Sequence, residues 1–298
     1  MMITSDIVLE LAITILISGS LFALSAVGFT LAYRVTKILH LAHGAVVLAS
    51  GYAFWWGMAR GGSLALSSAF ALAVAVGMVW VMHLFVYEHL RHRGKVATTM
   101  SLVATLALLV LVQNMLLAFF GSGTKSIPLS NNSETIVFSG TSITTVQMLV
   151  VGVSLFAVIA TMLFLRRTRL GKSMRAVADN EIAAQVVGID VRRVRLAAFL
   201  LVALLAGIAG ILYALEFDLN PSMGTEIAIR SFSRALIGGA GSIPGALLGS
   251  FVIEGAEDVG AFFFTAGMKN VFSFAIVFLF LLFRPRGIFG ERVRREDL

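Results

Sequence analysis

The sequence predicts an all-α, polytopic membrane domain, and three observations predict it. Mean hydropathy is +0.94, and 58% of the 298 residues are hydrophobic while 13% are charged. A globular fold of this length would leave many of those side chains in water, so the surface itself must be apolar. Apolar runs of about 20 residues, long enough to cross a hydrocarbon core of roughly 30 Å, recur along the chain. Lipid offers no partner to a free amide, so such runs are helices that satisfy their own backbone.

Six runs are regular: residues 7–32, 38–58, 64–87, 98–120, 146–165 and 196–216. Less tidy ones follow at 226–240, 243–264 and 267–283. The first has the apolarity of a signal peptide, but its flank MMITSD lacks a positive leader, so a retained span is expected. Basic residues then set the topology. Four clusters hold 18 of the 23 Lys and Arg. They are Arg34 with Lys37; Arg91, Arg93 and Lys95; the block from Arg166 to Arg195; and Arg284, Arg286, Arg292, Arg294 and Arg295. These are expected to be cytoplasmic loops, with the N-terminus outside and the C-terminus inside, and the other five basic residues fall to the alternate loops. Topology thus accounts for the net charge of +7, and nucleic acid is not an expected partner. An odd number of crossings is required, yet only eight segments are convincing. A ninth near 226–242 must therefore be short or broken. No linker divides the chain, which is read as one domain, 1–298.

The outside loop, 121–145, is rich in Ser, Thr, Gly and Asn and reads as turns with a short hairpin. It serves as a solvated connector or touches a partner. The stretch GGAGSIPGALLGS, 238–250, interrupts a helix, since Gly238, Gly239, Gly241, Gly245 and Pro244 cannot propagate one together. Gly241, Gly245 and Gly249 recur four apart, a stripe that admits a neighbouring helix. Broken backbone at membrane depth belongs beside protein or a water-filled cavity and is common in transport pathways; an ordinary tight loop before a packed helix is the alternative. Polar residues within the runs are Glu10, Gln113, Asn114, Glu254, Glu257 and Asp258. Intramembrane acids are functional candidates, and Glu254 shares a helical face with Glu257, so a vestibule or an interfacial position suits them. His43, followed by Gly44, is expected to cap carbonyls or sit at the interface, with substrate contact the alternative. Tyr33 and Arg34 read as an interfacial aromatic and a topology charge.

One polar segment stands out: RAVADNEIAAQVVGIDVRRVR, 175–195. Within the coupling loop 166–195, Gly171 is expected to end the fifth span's extension and a short helix to run from Ser173 to Ala178. Asn180 can cap a second helix, with Glu181 in its first turn where the dipole favours an acid. Ile182 with Val186, and Ala183 with Val187, form one apolar stripe. Gly188 suits a left-handed cap, and Asp190 the N-cap of the sixth span. Two cytoplasmic helices thus occupy 173–188. The small side chains of Ala183, Ala184 and Val187 suit a protein groove better than lipid headgroups.

The order of small residues, then Gly188-Ile189-Asp190, resembles the EAA-type coupling loop of ABC-importer permeases. It is similar in particular to the pattern R-A-x-A-x-[DN]-x-x-A-A-x-x-x-G-I-[DN] of branched-chain amino acid uptake permeases. Gly28-Phe29-Thr30-Leu31-Ala32-Tyr33 followed by Leu41-Ala42-His43-Gly44 resembles that family's first motif, and Gly238 to Ala246 with Gly249 its G-G-x-G-[ST]-x-x-G-A-x-x-G signature. The resemblance covers nearly the whole chain. Two positions depart: the acid stands at Glu181, one residue before the Glu of the wider EAA pattern, and His40 replaces a frequent Asn.

The resemblance implies a bacterial inner-membrane transport subunit. Arg175, Asn180, Glu181, Ile182, Ala183, Ala184, Val187, Gly188 and Asp190 would couple it to an ATPase. His43, Gly44, Gly238, Gly239, Gly241, Pro244, Gly245 and Glu254 would lie along the pathway or its helix break. Its implied partners are two cytoplasmic ATP-binding subunits that hold ATP and Mg, a second related permease in a heterodimer, a periplasmic or extracellular solute-binding protein, and the bilayer. This chain itself has no phosphate-binding loop, because GSGTKS at 121–126 lacks the GxxxxGK[ST] spacing. It also has no cysteine, HExxH or GxSxG, so neither catalysis nor a cofactor is expected. Branched-chain amino acids are the favoured solute, with urea, amides and aromatic acids as alternatives, and a self-contained secondary transporter as the rival class.

Overall fold

Each apolar run becomes helical. A computed structural model describes residues 5–87, 97–127, 135–138, 141–265, 268–284 and 287–289. Helices α1 (Ser5–Thr36), α2 (His43–Ala59) and α3 (Leu64–Met82) come first, α3 continuing into a π-helical turn, His83–Tyr87. Helix α4 (Ala97–Phe120) precedes a hairpin of β1 (Thr135–Phe138) and β2 (Thr141–Thr144), with Phe138 opposite Thr141. The rest is α5 (Thr145–Arg167), α6 (Arg169–Asp179), α7 (Glu181–Val186), α8 (Val191–Glu216), α9 (Met223–Gly238), α10 (Ile243–Phe263) and α11 (Lys269–Phe283). The clusters at Arg91, Arg93 and Lys95, and at Arg286, Arg292, Arg294 and Arg295, lie outside the described residues.

Among the described residues, five helices are individually long and apolar enough to cross a membrane: α1, α3 with its extension, α4, α5 and α8. Helices α9 and α10 form a sixth candidate as a pair bent by 113°. Helix α2 has 17 residues, and the apolar part of α11 is Val271–Phe283. The short element expected near 226–242 is α9, whose 16 residues at 1.5 Å each span about 24 Å, less than a hydrocarbon core.

Helix α8 is the hub, buried along most of its length against α1, α2 and α3, while α1 also runs along α10. Small residues let the backbones touch. A Cβ on Gly210 would lie 2.2 Å from the Val47 carbonyl oxygen, and Ser50 donates to the Gly207 carbonyl at 3.0 Å. The periphery is the reverse. Phe119, Phe156 and Phe278 on α4, α5 and α11 are 76%, 74% and 67% exposed, an outward apolar surface that fits acyl chains and not water.

Three expectations need correction. Arg230 and Arg234 do not belong to a loop: both lie within α9, where buried acids hold them. Gly171 does not end a helix. Thr168 separates α5 from α6 and caps α6 through the Gly171 N–H, while Gly171 packs against α5, where a Cβ would lie 2.4 Å from the Phe164 oxygen. Helix α6 accordingly starts earlier than Ser173, at Arg169. Finally, Gly241 is not part of the packing stripe.

Candidate functional site

Helices α6 and α7 lie at the end of the bundle that carries Arg34, with α6 packed on it through Gly171, Met174, Val177 and Ala178. The Asn180 side chain accepts from the Ala183 N–H at 2.9 Å and so caps α7. Gly188 has φ of +83° and no atom within 4 Å of a would-be Cβ, so backbone conformation alone calls for glycine there. Asp190 accepts from the Arg193 N–H at 3.1 Å and opens α8. Ile182, Val186 and Val187 are 76%, 81% and 74% exposed, and Ala183 is exposed beside them. Ala184 departs from that stripe: at 3% exposure it faces inward and joins the core. Glu181 is tied within the chain, its carboxylate accepting from Arg195 of α8. Arg175 reaches back to the Arg166 carbonyl, and Asp179 lies 4.0 Å from Arg34.

The helix break sits at that same end. A small cavity of about 90 Å³ is shared by Arg34, Lys37, Asp179, Gly241, Ser242 and Phe289. Gly239 and Gly241 have φ of +100° and +95°, and Ser242 caps α10 through the Gly245 N–H. Pro244 occupies the first turn, where a missing N–H costs nothing. The packing stripe is Gly238, Gly245 and Gly249: a Cβ on Gly245 would lie 2.0 Å from the Gly238 oxygen, and one on Gly249 2.6 Å from the Arg234 oxygen. Gly241 meets only Arg34, at 3.8 Å, and is needed for its turn.

His43 is not interfacial. Although it begins α2, its ring is fully buried, with Nε2 3.4 Å from the Ser25 hydroxyl, which pairs at 2.7 Å with Ser231 of α9. Gly28 makes room for that ring, and Gly44 for α9, since a Cβ on Gly44 would lie 2.2 Å from the Gly224 oxygen. His40 is buried as well, edge-on to Phe199 at 5.8 Å. The first motif is therefore a packing joint of α1, α2 and α9.

The largest feature that the sequence shows only in part is a charge cluster between α9, α10 and α11: its acids Glu254, Glu257 and Asp258 are candidates there, and their basic partners are not. Arg234, fully buried, donates to Glu254 at 2.6 Å and lies 3.7 Å from Glu257. Arg230 reaches Glu257 at 3.3 Å and Glu226 at 2.9 Å, and Lys269 holds Asp258 at 2.6 Å. The Arg234 guanidinium also stacks over Phe22 of α1, 4.1 Å from its centroid. A signal was present: Glu226, Arg230 and Arg234 are spaced four apart, one face of a helix, followed by three acids on the next. Among the described residues these acids form no cluster of three or more His, Cys, Asp or Glu that could hold a metal ion.

A polytopic helix bundle with an apolar exterior, an interrupted helix pair carrying buried ions, and a solvent-exposed amphipathic elbow defines the class: a membrane transport permease. The chain belongs to the family of branched-chain amino acid transport system permease components, whose model matches residues 11–281. It is 30% identical to the high-affinity branched-chain amino acid transport permease LivH of Escherichia coli K12, over 92% of each chain. It is 29% identical to BraD of Pseudomonas aeruginosa, also over 92% of each. Among solved structures, PsaBC from Streptococcus pneumoniae in complex with Fab shares the fold, with a TM-score of 0.51, 13% identity, and coverage of 92% of this chain and 91% of that one.

Proposed function

We propose that this permease is the membrane subunit of an ATP-driven importer for branched-chain amino acids, working with two cytoplasmic ATP-binding subunits, a second permease and an external binding protein. One observation carries the reading: the exposed apolar stripe of α7, on a helix too short to stand alone and stapled by Glu181–Arg195 to α8, a helix buried along most of its length. An isolated helix of six residues is far below the length that is stable in water, so its shape is imposed by the capping contacts on either side. Motion imposed on α7 passes into α8 through Gly188, Asp190 and the Arg195 ion pair. ATP-driven approach of the two motor subunits would thereby bias the bundle between two states. In this scheme the cytoplasmic face holds α6, α7 and the 239–242 break, with the N-terminus outside.

Leucine, isoleucine and valine are the favoured solutes because the relatives named for that transport align over almost the whole chain. Proteoliposomes containing the permease pair, the ATP-binding subunits and the binding protein test this. Uptake of labelled leucine that requires ATP is expected, and urea, short amides and phenylalanine should compete weakly. Uptake that proceeds without the ATP-binding subunits would favour a secondary transporter.

A further inference from the structure

The charge cluster borders a cavity of about 330 Å³, and we infer that this cavity binds the zwitterionic head of the transported amino acid. The inference rests on the importer reading above. The wall from α9 supplies Thr225, Glu226, Arg230 and Ser233, and α11 adds Ser273 and Phe274. Four acids, Glu226, Glu254, Glu257 and Asp258, meet three bases, Arg230, Arg234 and Lys269, in this cluster, leaving one negative charge among the described residues. Burial decides which acid carries it. Glu254, Glu257 and Asp258 side chains are 3%, 0% and 3% exposed and held by buried or partly buried cations. Glu226 is 49% exposed and lies at the cavity.

Glu226 lies in the first turn of α9, at the end of the bundle away from the 239–242 break, where a half-exposed carboxylate at the mouth of the cavity meets water and not acyl chains. Glu226 is thus placed to accept a solute ammonium. Arg230, next to it and facing the same cavity, keeps Glu257 and can exchange its contact with Glu226 for the solute carboxylate. Charge-assisted bonds of both signs then replace one ion pair. Ile229 and Phe274 supply an apolar wall for an aliphatic side chain, and the hydroxyls of Thr225, Ser233 and Ser273 complete a mixed lining typical of small-molecule sites.

The test uses the assembled importer in proteoliposomes. Glu226→Gln is expected to lower leucine uptake roughly tenfold or more, the worth of one charge-assisted hydrogen bond, while assembly with the ATP-binding subunits stays unchanged; Glu226→Asp should restore part of the rate. Because the chain has no cysteine, Ile229→Cys is its one thiol, and labelling of this chain by a cationic methanethiosulfonate is read on the separated permease band. Leucine should slow that labelling during ATP hydrolysis, and leucinamide or 4-methylpentanoate, each lacking one charge, should not. If the parent importer takes up leucine, yet Glu226→Gln stays within about twofold or leucine gives no protection, the site is wrong and the importer reading stands. If the parent takes up no branched-chain amino acid, both fall.

Discussion

Arg234 is a fully desolvated guanidinium in a bundle whose exterior faces lipid. It is tolerated because two carboxylates and the face of Phe22 replace its water. Removing one partner of such a group leaves uncompensated charge, at a cost of about 3–5 kcal/mol. Arg234→Met should therefore lower the apparent melting temperature in detergent sharply, and adding Glu254→Leu should recover part of the loss. Equal melting of parent and single variant would show that the pair contributes nothing. At this scale the sequence was legible where a residue acts on its own neighbours in the chain. The caps at Asn180 and Asp190 and the left-handed turn at Gly188 follow from local rules, and each is in place. Arg234 was not legible, because its partners lie 20 and 23 positions away. Counting it as a loop charge followed from the rule that spans avoid arginine. Ala184 failed for a related reason: a six-residue helix makes its stripe ambiguous until α6 and α8 fix which face is inside.

Among the elements, the bent pair α9–α10 shows how much packing depends on missing side chains. Gly238 and Gly245 touch backbone to backbone, and the 239–242 turn needs two positive φ values. Gly245→Val should clash directly with the Gly238 carbonyl, so well-folded protein in detergent, read by gel filtration, is expected to fall to a small fraction of the parent. A normal elution profile would mean that the two helices need not touch. The cluster of Gly and Pro foretold the break, and the hydrophobic runs foretold every helix of the bundle. Which glycine turns and which one packs depends on tertiary approach, and Gly241 was assigned the wrong one of these two roles. The polar elbow was readable from Asn180 onward, where capping residues mark the starts of α7 and α8; its first end, capped by Thr168, was not.

On the scale of the whole molecule, the chain divides its surface by chemistry. Phenylalanines cover the sides, charges line the α9 cavity, and one small apolar helix stands exposed at the end that carries the helix break. That helix is the least explained by the chain's own stability, since its stripe buries nothing here. The account's central claim is that a motor subunit covers it. Single cysteines at Val186 and Val187, introduced into this cysteine-free chain, test that claim most directly when the importer is treated with a short bifunctional thiol–amine cross-linker in native membranes. The account predicts cross-links from both positions to the ATP-binding subunit, changing in yield when a non-hydrolysable ATP analogue is added, with none from Phe156→Cys on the lipid side. Absence of any cross-link from Val186 and Val187, in an importer that still transports, would contradict it.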